Sequence, residues 1–193
     1  MRRIWTVLAA LATLSLTNCG YNAIQTNDEQ VKAGWSEVVN QYQRRADLVP
    51  NLVETVKGYA AHERETLESV VNARAAATQV KLTVDQLTPE NMRRFEAAQG
   101  ELRSALGRLL AVAENYPQLK ANENFRDLQA QLEGTENRIA IARRRYIEEV
   151  RSFNDLVTVP PTSWTNSIFY KKQAKAQFTA TTAGAEKAPE VKF

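Results

Sequence analysis

The sequence predicts an all-α protein, an antiparallel up-and-down four-helix bundle with long helices and an irregular C-terminal tail. Apolar residues recur at alternating steps of four and three along most of the chain, which keeps one stripe of each helix facing its neighbours. The 193 residues include only seven glycines and six prolines, so helix-breaking residues are few. Short links between successive helices then favour antiparallel neighbours.

The first two predicted helices span Asn27–Asp47 and Pro50–Val80. Pro50 lacks a backbone donor and its ring clashes with the carbonyl of Ala46, so a tight turn is the preferred interpretation. A kinked continuous helix is the alternative. The apolar stripe of this region consists of Val31, Trp35, Val38, Tyr42, Val49, Leu52, Val56, Tyr59, Leu67, Val70 and Val71.

The third predicted helix begins at Pro89, with Thr88 as its cap, because threonine at the cap and proline at the first position are typical of a helix start. Pro117 ends this helix, and the fourth runs from Gln118 to Val159. At about 1.5 Å per residue the fourth helix approaches 60 Å. The stripes of these two helices consist of Met92, Phe95, Gln99, Leu102, Leu106, Leu109, Ala113 and Tyr116, then Phe125, Leu128, Leu132, Thr135, Ile139, Ala142, Tyr146, Val150, Phe153 and Val157.

Residues Met1–Cys19 have the layout of an export signal. Two arginines precede a 13-residue apolar run, Ile4–Leu16, which is shorter than the roughly 20 residues that span a bilayer. The segment Leu16-Thr17-Asn18-Cys19 resembles a bacterial lipobox, which implies cleavage before Cys19 and its lipidation. Because Asn18 departs from the small residues usual there, an uncleaved signal anchor is the alternative. Both interpretations place the body outside the cytoplasm, on the periplasmic face of the inner or outer membrane if the cell is Gram-negative.

Four regions are therefore expected: a signal peptide at 1–18, a lipid-anchored linker at 19–26, the bundle at 27–159 and a partly disordered tail at 160–193. The tail carries several large aromatic residues, whose exposure to water is unfavourable. We expect the stretch Trp164–Phe178 to pack on the bundle and the end of the chain to be available to a partner.

The charge of the chain gives no support for nucleic-acid binding. The formal net charge is +3, and removal of residues 1–18 takes two arginines away. The run Arg143–Arg145 is expected to be a solvated face, because Glu148 and Glu149 lie one helical turn further on. Cys19 is the single cysteine, so no intrachain disulfide can form.

No cofactor, metal or catalytic site is predicted. Di-iron bundles use a Glu-x-x-His motif on two helices, whereas the single histidine, His62, has Tyr59 three residues before it. His62 and Glu63 are adjacent and so diverge around a helix. Glycine-rich phosphate loops and nucleophile elbows are absent from the sequence.

The polar residues around the proline form the candidate interaction or turn-fixing site. They are Arg44, Arg45, Asp47, Pro50 and Asn51. Such a group either satisfies backbone groups freed at a helix end or offers a docking surface at one tip of the bundle.

The stretch Arg44–Glu63, RRADLVPNLVETVKGYAAHE, resembles the signature segment of the LemA family. The resemblance covers nearly the whole chain and implies a four-helix up-and-down bundle, but it implies no settled activity. Further matching positions are Tyr116-Pro117, Leu119–Asn122, Asn124-Phe125, Glu136–Ala140, Ala142-Arg143 and Tyr146.

The sequence thus predicts a lipid-anchored, extracytoplasmic bundle of the bacterial cell envelope that is not an enzyme. Its expected partners are the membrane, through the lipid at Cys19, and an unidentified envelope protein. A purely structural envelope component is the alternative, and a hydrolase is a distant third.

Overall fold

The computed structural model describes the backbone of residues 2–178 and the side chains of residues 22–178. The side chains of the predicted signal peptide and of Cys19, and the last residues of the predicted tail, lie outside this part. Across residues 2–178 the secondary structure is helical with no strand, which confirms the all-α class. The helices are α1 (Arg2–Lys57), α2 (Arg64–Gln79), α3 (Pro89–Ala113), α4 (Pro117–Ala121), α5 (Glu123–Thr158) and α6 (Thr162–Thr165), with a 3-10 turn at Val84–Gln86 and a π-turn at Asn166–Tyr170.

Four of these helices are long, and they pack against one another side by side. α1 lies along α5, α2 lies along α3, and α1 also contacts α2. Trp35 of α1 packs on Tyr146 of α5 with ring centroids 5.4 Å apart, whereas Arg45, further along α1, meets the earlier residue Glu136 of α5. The order of these contacts shows that α1 and α5 run antiparallel.

The interior is divided into two apolar clusters, one toward each end of the helices. Every stripe residue predicted for α3 and α5 is buried except Tyr116, which is partly buried and lies beyond the end of α3. The first cluster includes Val49, Leu52, Val56, Leu67, Val70, Leu102, Leu106, Leu109, Phe125, Leu128 and Leu132. The second includes Ile24, Val31, Trp35, Val38, Tyr42, Met92, Phe95, Ile139, Tyr146, Val150, Phe153, Val157 and Phe178.

The predicted turn at Pro50 is wrong, because α1 continues through this residue to Lys57. Proline leaves the carbonyl of Ala46 without its usual helical donor. The guanidinium of Arg74, on α2, takes that place, and its Nε donates to the Ala46 carbonyl oxygen at 2.8 Å. A neighbouring helix therefore satisfies the group that Pro50 leaves free.

The chain reverses between α1 and α2 at residues 58–63 instead. Two long-range hydrogen bonds fix this turn: the Tyr116 hydroxyl donates to Glu63 at 3.1 Å, and the Asn122 amide donates to the Tyr59 hydroxyl at 3.0 Å. Ala60 is fully buried beneath them. The α1–α2 turn is thus tied to the links on either side of α4.

Two helix starts show the side-chain caps that their sequences favour. Thr88 caps α3 and accepts a hydrogen bond from the backbone N–H of Asn91 at 3.2 Å, with Pro89 at the first position as predicted. Asn122 caps α5 in the same way, accepting from the N–H of Phe125 at 3.0 Å. The single fourth helix of the prediction is therefore split, into a short α4 and the long α5.

After α5 the chain returns across the bundle. Phe178 is only 6% exposed and lies between Trp35 and Tyr146, at centroid distances of 6.0 and 5.6 Å. Trp164, by contrast, is 65% exposed. The expectation that the stretch Trp164–Phe178 packs on the bundle holds for its last residue and fails for its first.

A buried carboxylate attaches this C-terminal segment to α1. Asp28 is fully buried, and its carboxylate lies 2.9 Å from the ammonium groups of both Lys172 and Lys175. Lys32 approaches the same carboxylate at 3.3 Å. Burial by itself raises the pKa of Asp28, but the hydrogen bonds from Lys175, Lys172 and Lys32 lower it to about 2.

Candidate interaction site

A buried arginine lies at the centre of the bundle, in a cluster that we name the polar centre: Arg45, Gln99 and Glu136. Arg45 is 2% exposed. Its Nη1 donates to Glu136 Oε1 at 2.6 Å, and its Nη2 donates to the side-chain and backbone oxygens of Gln99 at 2.7 and 3.0 Å. The Gln99 amide in turn donates to the carbonyl of Ala77 at 3.2 Å. The polar centre thus links α1, α3, α5 and α2.

The polar centre separates the two apolar clusters. Arg45 lies between Tyr42, in the second cluster, and Val49, in the first. A buried guanidinium is costly unless it is paired and hydrogen-bonded. The polar centre therefore disfavours any alignment of α1 against α5 that would separate Arg45 from Glu136. Within the described side chains, the Nε of Arg45 is buried and has no hydrogen-bond acceptor.

An open groove between α3 and α5 lies over the polar centre, and we call it the α3/α5 groove. α3 and α5 hold its walls, while Tyr42 and Arg45 of α1 reach it from below. Its residues on α3 and α5 include Glu96, Gln99, Gly100, Arg103, Glu136, Ile139, Ala140, Arg143, Arg144 and Ile147.

The carboxylates of the groove are paired with arginines. Glu136 binds Arg45, and Glu96 accepts from Arg143 at 2.8 Å. The Arg143 guanidinium also lies 4.2 Å from the centroid of the Phe178 ring. These contacts couple the groove to the C-terminal segment.

The rim of the groove is cationic. Arg103 is 76% exposed, and its Nε lies 3.8 Å from Glu136, too far for a hydrogen bond. Arg144 is also exposed. Exposed guanidinium groups are suited to binding carboxylates or phosphates, so the edge of the groove has the chemistry to bind an anion, while the charges beneath it are paired with one another.

The structure separates the residues of the predicted site. Arg45 points into the bundle, whereas Arg44, Asp47, Pro50 and Asn51 are all exposed. Because α1 continues through Pro50, these residues fix no turn at that position. Their role as a docking surface stays a prediction.

Two of the three successive arginines of α5, Arg143 and Arg145, have different partners. Arg145 pairs with Glu149 one turn later, with 3.1 Å between Nε and Oε1, as predicted. Arg143 turns instead toward Glu96 on α3. The run Arg143–Arg145 therefore forms no continuous basic patch.

Within the described part of the chain, no three histidine, cysteine, aspartate or glutamate side chains are grouped so that they could hold a metal ion. His62 is exposed, and its neighbour Glu63 is hydrogen-bonded to Tyr116. Among the residues that the structure describes, no helix is long and apolar enough to cross a membrane.

Known proteins resemble this chain over most of its length. It is 26% identical over 189 residues to magnetosome protein MamQ 2 of Paramagnetospirillum magneticum, covering 89% of this chain and 68% of that protein. It is 25% identical over 172 residues to magnetosome protein MamQ of Magnetospirillum gryphiswaldense, covering 80% and 63%. It is 23% identical over 150 residues to protein LemA of Metamycoplasma hominis, covering 78% and 64%. The model of the LemA family matches residues 34–193. Because that match spans α1 from Gly34 onward and every later helix, the chain belongs to the LemA family.

Proposed function

We propose that this protein is a lipid-anchored component of the cell envelope whose extracytoplasmic bundle binds another protein and carries out no catalysis. The observation that carries the proposal is the α3/α5 groove, where exposed arginines surround charges that are already paired. The two carboxylates of the groove, Glu136 and Glu96, already accept hydrogen bonds from Arg45 and Arg143. The names of the similar proteins state no enzymatic activity.

The chemistry of the groove favours an acidic segment of the partner. Arg103 and Arg144 can bind carboxylates without breaking the pair between Arg45 and Glu136. Arginine is enriched among the residues that dominate binding energy at protein interfaces. The half-buried side chain of Ile147 lines the same groove and would pack against the partner's aliphatic groups.

Charge reversal at the rim tests this proposal. We expect Arg103→Glu together with Arg144→Glu to reduce the recovery of partner proteins cross-linked in the native membrane. Arg108→Glu together with Arg126→Glu is the matched control, since these exposed arginines of α3 and α5 do not line the groove. Equal recovery from both variants would contradict the groove as the binding site. Absence of any specific adduct with the unchanged chain would favour a purely structural envelope component.

Anchoring through Cys19 is the second part of the proposal. Each buried methylene contributes about 0.8 kcal/mol to membrane binding, so a multiply acylated cysteine anchors a protein firmly. Cys19→Ser is expected to abolish incorporation of labelled palmitate and to leave an unprocessed precursor. Unchanged labelling would reject lipidation at this residue and favour the uncleaved signal anchor.

A further inference from the structure

The segment that follows α5 presents apolar side chains to solvent. Trp164 is 65% exposed, Ile168 is 68% exposed and Phe169 is 59% exposed. Clustered exposed apolar side chains on a soluble surface mark contact sites for proteins or membranes.

The local helix geometry places these three side chains on one side. Trp164 and Ile168 are four residues apart, about one helical turn. The chain then widens into the π-turn, where the N–H of Lys171 donates to the carbonyl of Asn166 at 2.6 Å. The wider turn brings Phe169, five residues after Trp164, to the same side. We name Trp164, Ile168 and Phe169 the aromatic patch.

The opposite side of this segment is fixed to the bundle. Asn166 is buried, and its amide donates to the carbonyls of Val157 and Lys172 at 3.3 and 2.9 Å. The backbone N–H of Lys172 donates back to Asn166 Oδ1 at 2.9 Å. The patch is therefore held facing outward by contacts on its inner side.

The patch lies at the end of the bundle where α1 enters the core. α6 contacts α1, and Lys172, which follows the patch, pairs with Asp28 of α1. Ile24 is fully buried at the same end. Cys19 precedes Ile24 by five positions on α1, which is about 7.5 Å at the helical rise of roughly 1.5 Å per residue. A lipid on Cys19 would hold this end of the bundle next to the bilayer.

We infer that the aromatic patch inserts into the interfacial region of the membrane and fixes the orientation of the anchored bundle. The inference rests on the proposed anchoring through Cys19. Tryptophan is favoured at the membrane–water boundary, where its amphipathic ring lies at the level of the headgroups. Lys171, exposed beside the patch, is placed to meet lipid phosphates.

Quenching by brominated lipids tests the contact directly. Under the anchoring proposal the lipidated protein begins at Cys19, so it lacks Trp5 and retains Trp164 and the core residue Trp35, which is only 2% exposed. The lipidated protein is reconstituted into phosphatidylcholine–phosphatidylglycerol vesicles with or without bromine on the acyl chains. We expect bromine to quench the emission, and expect Trp164→Phe to remove most of that quenching.

Substitutions of the other two residues of the aromatic patch test the same membrane contact. Ile168→Ser and Phe169→Ser are expected to weaken the quenching of Trp164. Ile141→Ser is the matched control, since Ile141 is 64% exposed on α5 away from the patch, and it should leave the quenching unchanged. Equal effects of all three substitutions would overturn the inference.

Flotation of the same vesicles separates the two proposals. If the chain floats with the vesicles and Trp164 is unquenched, anchoring is retained and the membrane contact is rejected. Cross-linking between copies through position 164 in such a sample would assign the patch to a second copy of the chain. If the chain does not float, the anchoring proposal and the inference that rests on it both fail.

Discussion

Arg74 Nε donates a 2.8 Å hydrogen bond to the carbonyl oxygen of Ala46, the acceptor that Pro50 leaves without a helical donor. This contact joins α2 to α1 at the one position where the backbone ladder of α1 is interrupted by a proline. It explains how α1, a helix of 56 residues, continues through a proline and does not end there in a turn.

The first prediction tests this compensation. Arg74→Met should destabilise the bundle by about 1–3 kcal/mol, the usual cost of leaving a buried polar group unsatisfied. Pro50→Ala restores a backbone donor to the Ala46 carbonyl, so Arg74→Met should cost less in that background. Urea unfolding of the four proteins of this double-mutant cycle, followed by circular dichroism, measures the coupling. Additive effects of the two substitutions would mean that Arg74 does not compensate for Pro50.

The second prediction concerns the polar centre. Glu136→Leu leaves the buried Arg45 without its carboxylate and should cost about 3–5 kcal/mol. Arg45→Met should cost less, because the Glu136 side chain keeps 34% exposure and can be hydrated. Equilibrium unfolding in urea measures both losses.

The double variant Arg45→Met, Glu136→Leu is the control for the predicted difference in stability between the two single variants. It removes both charges and should recover part of the stability lost in Glu136→Leu. A larger loss in Arg45→Met than in Glu136→Leu would contradict the view that the buried guanidinium is the costly group.

The third prediction is a pH dependence that originates at Asp28. Its folded pKa, about 2, lies below the usual aspartate value of 3.8, so the ionised form stabilises the folded state. This stabilisation, about 2 kcal/mol, is present in full above the unfolded pKa and is lost as pH falls from about 4 to about 2. The free energy of unfolding of the natural chain and of Asp28→Asn, measured across this range, should differ by that amount near pH 6. The difference should shrink toward pH 2, and a gap independent of pH would show that the carboxylate charge is not responsible.

The fourth prediction concerns the two apolar clusters. Leu106→Ala in the first and Ile139→Ala in the second should each cost about 2–5 kcal/mol, because both side chains are buried and truncation opens a cavity. Val71→Ala is the control, since Val71 is 50% exposed on α2 and should change stability little. Losses no larger than that of the control would place the core on other faces of the helices.

The periodic stripe was sufficient to predict most of the core. Each helix buries the positions that recur at steps of three and four, down to the polar Gln99 and Thr135 that fill gaps in the pattern. This succeeds because burial of an amphipathic face depends on local spacing alone. The exceptions are Tyr59 and Val71, at 41% and 50% exposure, and Tyr116, which is partly buried. Tyr59 lies in the turn where α1 has ended.

The position of the first turn could not be derived from local rules. Pro50 favours a break by its own chemistry, but Arg74, 24 residues later, supplies the missing donor. The actual turn at residues 58–63 carries a single glycine, Gly58, and depends on partners from other links, including Tyr116. Tertiary contacts thus outweigh the helix-breaking preference of Pro50.

The polar centre was only partly predictable. Arg45 lies three residues after Tyr42 and four before Val49, so it occupies a stripe position, as Gln99 does on α3. Polar residues at stripe positions on two helices indicate a buried polar layer. The pairing with Glu136 depends on the register between α1 and α5, which periodicity does not determine. Asp28 also lies on the stripe of α1, and its lysine partners come from a segment without helical periodicity.

Site-specific photo-crosslinking in the native membrane tests partner binding at the α3/α5 groove most directly. A photoreactive residue replaces Ala140, an exposed alanine of the groove, and in a matched chain replaces Ala75, an exposed alanine of α2. We predict a discrete protein adduct from position 140 that is absent from position 75 and is lost when Arg103→Glu is added. Adducts of equal yield from both positions, or none from position 140, would contradict a binding role for this groove.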